Sequence, residues 1–185
     1  MKNLITLIFC AFLTLNCSRN SGTDDTGQQD QLPAATQIGA NTAGCLVNGK
    51  VLLPRGQKIQ SGPVLASQYQ FLNGGFHFGL NIQDNSNNIL KSVGIGSDNL
   101  NFEVGKTYVL EENLNNNTQI KAYAHYVNYD IGYYKTSNNV LGEIKITNLN
   151  TNNNIISGTF WYDAVNANGE KVEIREGRFD VHYAP

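Results

Sequence analysis

The sequence lacks an excess of charge of either sign, which argues against a partner that is bound mainly by electrostatic attraction. Its 13 Lys and Arg residues nearly balance 15 Asp and Glu residues, which leaves a formal net charge of −2 at pH 7. Proteins that capture nucleic acid or anionic lipid by electrostatic attraction need a basic excess. The composition therefore predicts no nucleic-acid partner.

Long hydrophobic runs and helical patterns are also scarce. The longest apolar run, Leu4 to Leu15, has about 12 residues, whereas a transmembrane helix needs about 20. We find no amphipathic helical period of usable length, and the sequence contains a single Met. Its 18 glycines, abundant Asn and 10% aromatic residues favour strands joined by tight turns. The composition predicts an all-β chain.

Common enzyme signatures are missing as well. The sequence contains no G-x-S-x-G, no H-E-x-x-H, no Cys-x-x-Cys and no glycine-rich phosphate loop opening a helix. Asp180 and His182 share one face of a predicted strand, and an approaching Ser would complete a hydrolytic triad, but such pairs arise by chance in β proteins. We therefore predict no catalytic residue and no cofactor.

A metal site is not expected either. Asp84, Ser86 and Asn88 alternate as in a calcium-binding loop, but Ile89 stands where that loop needs Gly, and the closing acidic residue is missing. The segment is predicted to be a polar turn.

The N-terminus has the features of an export signal that ends at a cysteine. Lys2 precedes the apolar run, and Thr14-Leu15-Asn16-Cys17 resembles the lipobox of bacterial lipoproteins. That resemblance implies a signal peptide over residues 1–16 and a diacylglyceryl group on Cys17, the new N-terminus. Thr14 and Asn16 depart from the usual residues of the motif. The alternative is a plain secretory signal with an incidental Cys.

The residues after Cys17 are predicted to form a flexible tether, so that lipidated Cys and tether span residues 17–31. Ser18 to Gln31 contains no large apolar residue that could bury itself. Asp24 and Asp25 resemble the acidic export signals of Bacteroidetes lipoproteins, the alternative being a solubilising linker. The expected location is the bacterial cell envelope, lipid-anchored to the outer membrane, either periplasmic or surface-exposed.

The cysteines exclude an intramolecular disulfide in the predicted mature chain. Cys10 leaves with the signal peptide, Cys17 carries lipid, and Cys45 remains alone. Between Gly44 and Leu46, Cys45 is predicted to be a small buried apolar side chain.

Residues 32–185 are predicted to form a single β domain. Asn48-Gly49 is a two-residue turn signal that supplies two positive φ angles, and Asn73-Gly74-Gly75 marks a second hairpin. Regularly spaced strands of this kind predict an antiparallel β-sandwich or partly closed barrel, built largely as a meander of about 8 to 10 strands. The predicted strands are residues 45–47, 50–53, 68–72, 76–83, 89–95, 107–110, 120–129, 140–147, 155–162 and 172–183.

Strand alternation predicts an aromatic surface on the outer face of the sheet. Tyr123 and His125 alternate with an apolar inward set, Trp161 alternates with Phe160 and Tyr162, and Tyr129 joins them if the register persists. Exposed aromatic side chains among polar groups suit a glycan or an extended protein partner. The alternative is cross-strand packing without any ligand.

Three segments carry a resemblance to a known family. They are LPAATQIGANTAGCLVNGKVLLP at residues 32–54, GKTYVL at residues 105–110 and ISGTFWYDAVNANGEKVEIREGRFDVHY at residues 156–183. Together they resemble a family of uncharacterised Bacteroidetes lipoproteins, catalogued as a domain of unknown function. The resemblance implies an exported all-β domain and transfers no catalytic residue. Ala43 and Trp161 depart from the residues usual at their positions.

Three functional classes follow, in order of expectation. The first is a noncatalytic, membrane-anchored binding or accessory module of the bacterial envelope. The second is a lipocalin-like barrel that holds a small apolar ligand in a cavity lined by residues such as Phe78, Phe102 and Tyr126. The third is a hydrolase with an unrecognised site.

Overall fold

The computed structural model describes residues 30–58, 62–112 and 122–185, which form one antiparallel sheet of eleven strands. The predicted signal peptide, Cys17 and nearly all of the predicted tether lie outside these residues. No helix in the described ranges is long and apolar enough to cross a bilayer. In chain order the strands are β1 (Thr42–Val47), β2 (Lys50–Leu52), β3 (Leu65–Leu72), β4 (Gly75–Asp84), β5 (Lys91–Ser97), β6 (Thr107–Leu110), β7 (Ala122–Asn128), β8 (Gly132–Lys135), β9 (Gly142–Asn150), β10 (Ile155–Val165) and β11 (Lys171–His182).

The sheet is a meander that curls into a half-barrel, so the predicted all-β antiparallel class is confirmed. The strand order is β2-β1-β11-β10-β8-β7-β5-β4-β3, while β9 pairs with β10 and β6 pairs with β9. The curl brings the C-terminus to the far edge. There Ala184 forms a parallel bridge to Gln68 of β3, with Ala184 N donating to Ser67 O at 2.9 Å.

Both predicted hairpins occur, and the second turn is one residue shorter than predicted because Gly75 begins β4. Asn48 and Gly49 have φ angles of 48° and 77° between β1 and β2, and Asn73 and Gly74 have φ angles of 52° and 86° between β3 and β4. Positive φ at both central residues matches the twist of antiparallel hairpins. These turns fix the register of the strands on either side.

The structure adds β8, which the sequence pattern does not predict. This strand has only four residues, and it begins at Gly132, whose φ of 116° lies outside the range of ordinary strands. It pairs with β7, so that Tyr134 lies opposite Tyr126 on the inner face. The predicted strand of residues 120–129 is β7, although its first two positions lie outside the described residues.

Packed aromatic rings fill a large part of the inner face. The ring centroid of Phe102 lies 5.2 Å from that of Phe78 and 5.7 Å from that of Tyr69, and Tyr126 lies 6.0 Å from Tyr134. Phe78, Phe102 and Tyr126 are all buried. These side chains therefore contact other rings where a lipocalin-like barrel would use them to line a cavity, which favours a filled core.

Cys45 lies on β1 and is fully buried, as predicted, and burial raises the pKa of its thiol to about 12. Since the thiolate is the reactive form, the folded protein should protect this thiol. In a chain with Cys10 and Cys17 replaced by Ser, we expect negligible reaction with Ellman's reagent at pH 8 and one thiol per chain after unfolding in guanidinium. Rapid reaction of the folded chain would contradict this placement.

Candidate functional site

The structure brings together two of the four aromatic residues that the sequence predicts as a binding surface. Tyr123 and His125 lie on the outer face of β7 and line the same groove, whereas Trp161 on β10 lines a second groove that shares no residue with the first. Tyr129 is 75% exposed in the turn after β7. Its six-residue separation from Tyr123 corresponds to roughly 20 Å along an extended chain.

The first groove crosses the outer face of β3, β4, β5 and β7 and has a volume of about 470 Å³. Strand pairing sets its layout. One row runs from Gln68 across Gly79 and Gly96 to Tyr123, and the adjacent row runs from Asn81 across Gly94 to His125. We name it the Tyr123 groove, defined by Gln68, Gly79, Asn81, Gly96, Tyr123 and His125.

Glycines on β5 allow the aromatic rings to lie across the sheet. A Cβ atom at Gly96 would lie 2.5 Å from Cζ of Tyr123, and a Cβ atom at Gly94 would meet the imidazole of His125 even more closely. Each ring therefore occupies the space that a side chain on β5 would fill. Glycine inside a strand commonly marks such a close approach. The rings therefore lie against the backbone of β5.

Tyr133 extends this aromatic surface and was not predicted from the sequence. Its ring stacks on His125, with centroids 5.6 Å apart and an angle of 28° between the planes. Tyr133 is exposed on β8, while its neighbour Tyr134 is buried. The alternation of these two tyrosines was the available signal, but the predicted register ended before Gly132.

The described residues that define the Tyr123 groove carry no formal charge at neutral pH. Burial lowers the pKa of His125, and burial, with a smaller contribution from Asp98, raises the pKa of Tyr123. Imidazole and phenol are therefore both neutral at pH 7. The nearby cation on β8, Lys135, is bound at 2.5 Å by Glu112. The groove thus offers amide, phenol and imidazole groups, and none of its defining side chains carries a charge.

Trp161 lies in a different environment. Its indole Nε1 donates a hydrogen bond to Glu143 at 3.3 Å, and the Arg175 guanidinium lies 5.6 Å from the ring centroid. Its groove of about 460 Å³ also contains Lys145 and Arg178, so charges of both signs line it. The exposure predicted for Trp161 is confirmed at 41%. Its polar edge and one face already contact this protein's own residues, an arrangement typical of cross-strand packing.

Asp180 is buried, although strand alternation directs its side chain away from the inner face. It lies on the outer face of β11, but it is only 1% exposed because the segment 36–40 crosses over it. We name this segment the strap. The Asp180 carboxylate accepts hydrogen bonds from Thr36 Oγ1 at 2.6 Å, Ile38 N at 3.0 Å, Gly39 N at 2.9 Å, Ala40 N at 3.1 Å and Ser157 Oγ at 2.7 Å.

These contacts do not have the arrangement of a hydrolytic triad. Ser157 is fully buried, and its hydroxyl donates directly to Asp180. His182 Nδ1 instead contacts the carbonyl of Asn153 at 3.1 Å. A triad requires His between the hydroxyl and the carboxylate. Here the carboxylate stabilises the strap.

The predicted polar turn at Asp84 is confirmed. Asp84 Oδ1 accepts hydrogen bonds from Ser86 N at 2.9 Å and Ser86 Oγ at 2.6 Å, and Oδ2 accepts one from Arg55 Nε at 3.0 Å. Both carboxylate oxygens thus have protein donors. Within residues 30–58, 62–112 and 122–185, no group of three or more His, Cys, Asp or Glu side chains is placed to hold a metal ion.

The fold and the groove define an all-β domain that presents a neutral aromatic groove on the outer face of a curled antiparallel sheet. Residues 81–181 match the family described as "Domain of unknown function (DUF6252)", and the chain belongs to this family. The matched span includes Tyr123, His125, Trp161 and Asp180. No curated protein and no solved structure matches the chain.

Proposed function

We propose that the protein is a noncatalytic binding module of the bacterial cell envelope, anchored to the outer membrane through a lipid on Cys17. The Tyr123 groove is its binding site. The observation that carries this proposal is a neutral groove whose aromatic walls are fixed on glycine backbone. Its partner is a glycan or a protein.

Pre-organisation supports a binding role for this groove. Tyr123 and His125 are held over Gly96 and Gly94, so a ligand does not have to order these rings when it binds. The groove volume falls within the range of about 300–1,000 Å³ found for ligand sites. Its side chains stand on strands of a continuous sheet, and sites on such elements keep their geometry better than sites on loops.

The anchor follows from the apolar run that ends at Cys17 and from the polar segment after it. Two or three acyl chains hold a protein on a membrane essentially permanently, whereas one binds only marginally. Mass spectrometry of the membrane-extracted protein should therefore find an acylated N-terminal Cys17. A Cys17→Ser chain should leave the membrane fraction. An unmodified mature N-terminus in the wild-type membrane fraction would contradict this part of the proposal.

The binding role is tested by a panel of probes rather than by one ligand. Detergent-solubilised mature protein is screened against neutral oligosaccharides, acidic oligosaccharides and unstructured peptides of both charge signs. Wild-type protein should bind at least one class, and Tyr123→Ala should weaken that binding while the circular dichroism spectrum is unchanged. If no probe binds in a manner that depends on Tyr123, the proposed function is wrong.

A further inference from the structure

We infer that the Tyr123 groove binds a neutral glycan, with a sugar ring against Tyr123 and sugar hydroxyls bonded by the amides of Gln68 and Asn81. This inference rests on the proposed function and names the ligand class of the same site.

The two grooves differ in charge, and this difference indicates which class of ligand each could bind. The defining residues of the Tyr123 groove are neutral at pH 7, so an acidic polymer or a charged peptide would lose water there without gaining an ion pair. The groove at Trp161 contains Glu143, Lys145 and Arg178, which is the composition that a charged partner would need. The lack of charge at the Tyr123 groove therefore favours a ligand without charge.

The Tyr123 ring favours flat ligands that combine an apolar face with polar edges. The Tyr123 ring lies across the backbone of Gly96, which fixes the orientation of its plane. Tyrosine itself combines an apolar body with a hydrogen-bonding tip. A pyranose ring has the matching character, because its C–H groups form apolar faces and its hydroxyls form a polar rim.

The opposite end of the groove supplies hydrogen-bonding groups. Gln68 and Tyr123 lie at the two ends of one cross-strand row, with Gly79 and Gly96 between them. Three strand spacings separate these ends by about 14 Å. Asn81 Oδ1 accepts a hydrogen bond from Ser92 Oγ at 2.5 Å, which fixes its amide while the amide nitrogen supplies N–H donors.

The two glycines in this row allow the side chains at its ends to lie low across the sheet. Gly79 and Gly96 present no side chain of their own between Gln68 at one end of the row and Tyr123 at the other. A Cβ atom at Gly79 would lie 3.1 Å from Cγ of Gln68, so the Gln68 stem covers part of that position. Because the Tyr123 ring covers Gly96 in the same way, a sugar ring would pack on the Tyr123 ring and not on strand backbone.

The test is the oligosaccharide and peptide panel with three variants of the detergent-solubilised mature protein. The neutral probes are gluco-, manno-, galacto- and xylo-oligosaccharides, and binding is measured by calorimetry. We expect binding only of neutral probes, weakened at least about tenfold by Tyr123→Ala and changed less than about twofold by Tyr129→Ala. Affinity should also be nearly equal at about 0.05 M and 0.5 M NaCl, because no ion pair contributes.

Gly96→Ala is the second groove variant. Its added Cβ displaces the far end of the Tyr123 side chain but removes no groove side chain, so weaker binding with an unchanged circular dichroism spectrum is expected. Binding of an acidic glycan or a charged peptide that depends on Tyr123 would overturn the inference and leave the proposed function intact. The absence of any Tyr123-dependent binding would overturn both. Neutral-glycan binding insensitive to both groove variants would also overturn the inference.

Discussion

Replacement of Asp180 by Ala is expected to lower the free energy of unfolding by about 3–5 kcal/mol. The substitution removes the shared acceptor of five hydrogen bonds and leaves Ser157 and the strap amides without their partner. Guanidinium unfolding followed by circular dichroism measures the loss. The matched control is Asp163→Ala on the neighbouring strand, where the carboxylate contacts Arg175 and Lys171 near the surface. There we expect about 1 kcal/mol or less.

The contribution of Asp180 should also depend on pH. Burial alone would raise the pKa of Asp180, but hydrogen bonds from Thr36, Ser157 and the amides of Ala40 and Gly39 outweigh burial and lower it from 3.8 to about 2. Because the folded-state pKa lies below the unfolded-state value, this stabilisation is present above about pH 4 and is lost as the pH falls towards 2. The shift corresponds to about 2 kcal/mol.

Asp180→Asn separates the charge from the shape of the side chain. The stability difference between wild type and Asp180→Asn should be largest near pH 6 and should shrink by about 2 kcal/mol as the pH falls to about 2. A difference that stays constant over this range would contradict the role given to the carboxylate. Equal losses for Asp180→Ala and Asp163→Ala would contradict the burial of Asp180 beneath the strap.

Tyr162→Ala is expected to cost about 3–5 kcal/mol of unfolding free energy, while Tyr162→Phe should cost about 1–2 kcal/mol. Tyr162 is fully buried on β10, and its hydroxyl donates to the backbone carbonyl of His125 at 2.6 Å. Alanine removes both the ring and this hydrogen bond, whereas phenylalanine keeps the ring. The bond connects the core to the strand that forms the aromatic wall of the Tyr123 groove.

Chemical unfolding of the two Tyr162 variants distinguishes packing from hydrogen bonding. If Tyr162→Phe were as destabilising as Tyr162→Ala, the ring would contribute little and the packed position would be wrong. Tyr123→Phe is the matched control, because it removes a phenolic hydroxyl from the outer face of the sheet. It should change the unfolding free energy by no more than about 0.5 kcal/mol.

The hairpins and strand faces could be predicted because their causes are local. Asn48-Gly49 supplies a turn with two positive φ angles, and alternation in β7 and β10 predicts which side chains point outward. The position of a strand around a curled sheet has no local signal. The predicted surface therefore contains Tyr123 and Trp161, although β7 and β10 place them in separate grooves.

The burial of Asp180 could not be predicted, because its cover comes from a distant part of the chain. The strap amide of Ala40 is 140 positions away in sequence, and alternation predicts only that Asp180 points away from the inner face. The short strand β8 escaped prediction for a different reason. Four residues beginning at Gly132 contain too few alternating positions to define a strand, so the stacking of Tyr133 on His125 was missed.

The glycines of β5 are a local sequence signal whose meaning depends on the neighbouring strands. Gly94 and Gly96 alternate in β5 and both point to the outer face, where their pairing partners are His125 and Tyr123. Alternating glycines within a strand indicate a close approach but do not say what approaches. The cross-strand register supplies that information, and it depends on which strands are neighbours.

The proposed binding site is the Tyr123 groove, and backbone amide chemical shifts can locate the bound ligand. The isotope-labelled protein is titrated with the neutral oligosaccharide that binds most tightly in the panel. The predicted result is saturable shift changes centred on Gly79, Gly96 and Tyr123, with little change at Trp161. Shift changes centred on Trp161 and Glu143, with the Tyr123 groove unchanged, would contradict the claim.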